Sequence, residues 1–148
     1  MSQTISHHSA LIYTMVVVSA ADGSMNDAEL HAIGEIVNTF PIFHDFNKDR
    51  LITTAQECAA ILSEDGGLDA VLGLVKEAIP PQLKETAYAV AVDVAASDEK
   101  LGPEELRLLE MLRDTLNIER LYAGAIERAS RARHMTCLLY TSPSPRDA

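Results

Sequence analysis

The chain makes one unusual move twice, 76 residues apart, and this repetition restricts its fold more than any single motif does. Residues 10–21, "ALIYTMVVVSAA", are apolar nearly all round, the mark of a buried helix. Residues 20–30, "AADGSMNDAEL", then form a polar joint carrying Asp22, Asp27 and Glu29 around Gly23. An amphipathic segment follows from Asn26, with Leu30, Ile33, Ile36, Val37 and Phe40 at helical spacing and Pro41 at its close. Sliding the chain by 76 residues lays Val18 on Val94, Ala20 on Ala96, Asp22 on Asp98, Glu29 on Glu105 and Leu30 on Leu106. The second copy reads "AYAVAVDVAA", then the joint "SDEKLG", then Pro103 with Leu106, Leu109, Leu112 and Leu116.

Two buried helices, each followed by an acidic joint and an amphipathic helix, predict two helical hairpins packed side by side with the apolar helices in the middle. The rest of the pattern is also helical. Asn47 or Asp45 can cap a helix running to about Leu62, with Leu51, Ile52, Ala55, Cys58 and Ile61 inward, and "EDGG" breaks it. A further helix from about Leu68 to Ala78 carries Val71, Leu72 and Val75, and Pro80–Pro81 separates it from the second apolar helix, about Gln82 to Ala96. A last helix runs from about Glu119 to Arg133, and no hairpin signal points to a strand pair. The expectation is all-α: one compact domain of about seven helices over residues 1–136.

Residues 137–148, "CLLYTSPSPRDA", break the pattern with two prolines and no apolar period. They resemble the translation of a transposase adapter used in sequencing libraries, and are expected to be a non-native tail outside the fold. Cys58 is then the only cysteine of the domain, which excludes a disulfide framework and a CxxC pair and suits a reducing cytosol. Its apolar neighbours make it a core thiol. The formal net charge of −10 argues against general nucleic-acid affinity. Arg120, Arg128, Arg131 and Arg133 against Glu127 nevertheless make the last helix locally basic, which suits the macrodipole or an acidic contact. The longest apolar run is too short to span a bilayer, and a cytoplasmic chain without a transmembrane segment is expected.

The acidic joints are the candidate site. Helix capping explains part of them, since Asn26 with Glu29, and Gly102–Pro103 with Glu105, have the spacing of helix starts. It does not explain Asp22 and Asp98, which precede the caps. Should Asp22 approach Glu29, two carboxylates about 5 Å apart repel by roughly 3 kcal/mol at an effective dielectric of about 20, unless a proton or cation intervenes. Oxygen ligands without paired His or Cys select a hard ion, Ca²⁺ or Mg²⁺. An EF-hand starting at Asp22 would need Glu where Ile33 stands, so this is not one. His7 and His8 fall in an N-terminus expected to fray, His31 points away from Glu29, and His44 beside Asp45 reads as a loop residue. No nucleophile elbow or phosphate loop is visible, and the chain is not expected to be an enzyme.

The "AADG" turn followed by "AEL", repeated as "AASD" and "EEL" in a helical chain of this length, resembles the tellurite-resistance TerB family. The resemblance covers roughly Ala10 to His134 and departs in the second motif, where Glu99 stands in place of a common glycine. It implies a helical domain with a divalent-metal site made by Asp22 and Glu29 of the first joint and Asp98 and Glu105 of the second. It also implies a part in resistance to tellurite and other stresses, alongside other stress-resistance proteins at the inner face of the membrane. The alternative is a protein–protein interaction module whose acidic joints only cap helices.

Overall fold

In a computed structural model the described residues are 4–21, 25–97 and 102–135; Asp22, Asp98 and the tail from residue 136 onward lie outside them. Among the described residues there are seven α-helices and no strand: α1 (His7–Ser19), α2 (Asp27–Thr39), α3 (Leu51–Leu62), α4 (Gly67–Ala78), α5 (Lys84–Ala96), α6 (Pro103–Leu116) and α7 (Arg120–Arg133). Asp27 and Pro103, which open α2 and α6, are 76 residues apart, as the repeat requires.

The two apolar helices form the centre. α1 packs on α5, and Val18 and Val94 are both fully buried. Every residue of α1 from Ala10 to Ser19 is buried, so the three consecutive valines that locally favour a strand are overridden by all-round packing. The amphipathic helices cross between the units: α2 packs on α5 and α6 on α1. The duplication reaches one helix further than the sequence revealed, because α3 lies on α1 as α7 lies on α5. α4 completes the bundle against α1, α3 and α6. Each buried Val, Leu or Ile contributes about 1.5–3 kcal/mol relative to exposure, and that apolar burial holds the bundle together.

The connections follow from their punctuation. Pro41 ends α2 and opens a 3-10 turn, Pro41–Phe43, which tucks Phe43 into the core. Asn47 caps the next turn, Lys48–Arg50, by accepting a bond from the Asp49 amide. Between α3 and α4, Gly66 has φ +72°, and a Cβ at Gly67 would lie 2.0 Å from the Ile61 carbonyl oxygen, so "EDGG" admits no larger residue at that second glycine.

Three apolar positions and one terminus differ from the sequence expectation. Leu30, Ile52 and Leu106 are exposed rather than inward. Helical spacing gives the direction of an apolar stripe, whereas the neighbours decide where its edge lies. His7 and His8 do not fray: both lie in the first turn of α1, whose start is capped by Ser6. The His8 ring stacks on Phe43 at 5.7 Å between centroids, and its Nε2 lies 2.8 Å from the Ile42 carbonyl oxygen and 3.2 Å from Asp45. His8 thus anchors the α2–α3 connection. His31 is exposed, and His44 lies in the connection as expected.

Candidate metal-binding joints

Each joint delivers a glutamate into the start of an amphipathic helix. At the first, the Asn26 side chain accepts a bond from the Glu29 amide at 2.8 Å, and Glu29 Oε1 accepts one from the Asn26 amide at 3.1 Å. This reciprocal box draws Glu29 inward until 1 % of it is exposed. At the second, Glu105 Oε1 accepts from the Gly102 amide at 3.0 Å, but glycine has no side chain to return the bond. Only the glutamate arm of the box exists there, with Pro103 at the first helical position. Glu105 is nonetheless buried. Both glutamates are therefore capping residues, and both are withdrawn from solvent.

A cleft of about 480 Å³ is lined by Ala20 and Ala21, where the chain leaves α1, and by Glu104 and Arg107 in the first turns of α6. The end of the first apolar helix thus faces the helix start that follows the second joint. A carboxylate here also experiences the positive end of the α6 dipole. Among the described residues, however, no three His, Cys, Asp or Glu side chains are grouped to hold a metal ion. Of the four expected ligands, Glu29 and Glu105 are placed as buried caps, while Asp22 and Asp98 lie outside the described residues. The donor chemistry of the placed pair is all oxygen, which suits a hard divalent cation and not zinc or copper.

Two polar clusters elsewhere join partners that the sequence does not name. Asp93, on the otherwise apolar α5, accepts a bond from the buried Ser130 hydroxyl at 2.7 Å and one from the Arg133 guanidinium at 2.7 Å. These bonds pin α7 to α5. The signal was a lone carboxylate inside "AYAVAVDVAA", which had to find a partner if buried. Nearby, the Tyr88 hydroxyl donates to Glu127, as a buried tyrosine requires, and Arg113 approaches the same carboxylate at 3.7 Å. Burial, then the hydrogen bond to Glu127 and its charge, raise the Tyr88 pKa above the ordinary phenol value. Cys58 is fully buried, and burial pushes its thiol up to about 12, so it is the core thiol expected and not a nucleophile at neutral pH.

A family model described as "Tellurite resistance protein TerB" matches residues 8–127. Comparison with curated proteins and with solved structures gives no match.

Proposed function

The chain belongs to the TerB family, and from that premise we propose that it is a non-enzymatic stress-resistance protein whose two acidic joints together bind one hard divalent cation, Ca²⁺ or Mg²⁺. The observation that supports this most is a single cleft between the end of α1, which precedes the first joint, and the start of α6, which follows the second. Each joint buries a glutamate beside it in sequence. In this reading Asp22 and Asp98 supply the charge that capping leaves unexplained, and Glu29 and Glu105 fix the helix starts that carry them. The protein works in the cytoplasm, with other stress-resistance proteins at the inner membrane face, and tellurite is one of the stresses it answers.

Thermal unfolding against added cation tests the proposal. With a dissociation constant near 1 mM, about 10 mM Ca²⁺ stabilises the fold by roughly 1.4 kcal/mol. For a domain of this size that is a rise of about 5 °C in Tm. Asp22→Asn and Asp98→Asn each lose most of the rise, and without cation each is as stable as the parent or slightly more so, because one repelling charge is gone. Sodium at matched ionic strength is the control, since salt alone screens an acidic chain. Equal shifts with Ca²⁺, Mg²⁺, Mn²⁺ and sodium would show that the joints bind no ion. The second reading, an interaction module with purely capping carboxylates, draws on the capping bonds that Glu29 and Glu105 already make.

A further inference from the structure

A second opening lies on the other bank of α6 and borders the second joint at Ala96 and Pro103. α6 and α7 both rest on α5, and between them runs a groove of about 750 Å³. One end is closed by the bonded Tyr88, Glu127 and Arg113. From there Val92, Ala95 and Ala96 form the floor, and Pro103, Leu106 and Leu109 of α6 face His134 and Met135 at the end of α7. Leu106 and Met135 are about half exposed, 53 % and 48 %, although each is a large apolar residue. Among the arginines at the groove, Arg113 is engaged by Glu127 and Glu110. Arg107 on the α6 bank and Arg131 on the α7 bank make no ion pair with a described residue. In a chain of net charge −10 this is a local reversal of sign.

We propose that this groove binds an amphipathic α-helix of a partner protein, with an apolar stripe on the floor and acidic side chains flanking it against Arg107 and Arg131. Cations on opposite banks match acids on both sides of a helical stripe. The α6 bank from Pro103 to Arg113 is about 15 Å long at about 1.5 Å per residue, which accommodates about three turns of a partner helix. Docking would cover Leu106 and Met135 and pair the two guanidinium groups. The proposal stands on these observations alone, whichever reading of the joints holds.

The test uses the full chain and a fluorescein-labelled helical peptide of about 14 residues, with leucines at i, i+3, i+4 and i+7 flanked by glutamates. Anisotropy should give a dissociation constant below about 100 µM that weakens with salt. Arg107→Glu and Arg131→Glu, at exposed positions that leave the fold intact, should each weaken binding by about tenfold, and their combination should instead bind the peptide carrying lysines for glutamates. Leu106→Asp should abolish binding of the acidic peptide. The proposal is overturned by no binding at about 1 mM peptide, or by equal binding to the wild type and the arginine variants. It is equally overturned by binding only after residues 137–148 are removed, which would make the tail the occupant. Arginine-dependent binding of anionic vesicles without peptide binding would assign the groove to lipid instead.

Discussion

Replacing Asp93 by alanine probes how the second unit is held together. The Asp93 carboxylate is nearly buried, and it is the acceptor for both Ser130 and Arg133. The Ser130 hydroxyl is fully buried, so its bond to a charged acceptor is worth about 1.5–3 kcal/mol, and losing it strands the donor. The Arg133 side chain is 53 % exposed, so its half of the pair is discounted to about 0.5–1 kcal/mol. Asp93→Ala should therefore cost about 2–4 kcal/mol, or about 7–14 °C in Tm for a domain of this size. Ser130→Ala leaves Asp93 paired with arginine and should cost about 1.5–3 kcal/mol, and Arg133→Ala about 0.5–1 kcal/mol. Urea unfolding followed by helical circular dichroism gives all three values, and the double variant of Ser130 and Arg133 gives their coupling. A loss below about 1 kcal/mol in Asp93→Ala would refute the reasoning, because a buried carboxylate that pins α7 cannot be that dispensable.

Val94→Asp should unfold the domain or nearly so, since Val94 is fully buried in the α1–α5 contact and an unpaired charge there costs several kcal/mol; a cooperative transition of normal midpoint would show that the two apolar helices do not pair. In a Cys137→Ser background, Cys58 should resist aromatic disulfide reagents at about pH 8 until denaturant is added. Its folded pKa lies near 12 against an ordinary 9.0, so the thiolate forms first in the unfolded chain. The stabilising contribution of the neutral thiol is whole below about pH 9 and is lost as pH rises towards 12, at up to about 1.4 kcal/mol per pH unit. Cys58→Ala should flatten that alkaline decline, and an unchanged slope would assign the decline to other groups.

The helices were legible because their periodicity is local, and the doubled joint was legible because carboxylates and glycine stand out between apolar runs. Val18 and Val94 could be paired from the 76-residue offset alone, and both lie in the core. Leu30 and Leu106 misled in the same way at matched positions, and both are exposed. The repeat carries an apolar residue there that the bundle leaves outside, and in the second unit that residue borders the groove between α6 and α7. Ile52 misled alone, at the edge of the α3 stripe. Asp93 was hidden by its surroundings: a carboxylate in an apolar run announces a partner without naming one, and Arg133 lies 40 positions away. The groove depends on how two helices splay over a third, which no local pattern encodes.

The caps at Glu29 and Glu105 were readable from spacing, although at Gly102 only the glutamate arm of the box forms. Capping and ligation, however, use the same residues at the same places, so spacing cannot separate them. Paramagnetic broadening by Mn²⁺ can. With about 0.1 equivalent of Mn²⁺ added to labelled protein, one ion shared by both joints broadens the amide signals of Asn26–Glu29 and of Gly102–Glu105 together. Ca²⁺ restores both sets in parallel, and Asp22→Asn or Asp98→Asn removes both at once. Broadening at one joint only, independent saturation of the two, or no broadening beyond that of the exposed acidic surface would contradict a single shared site.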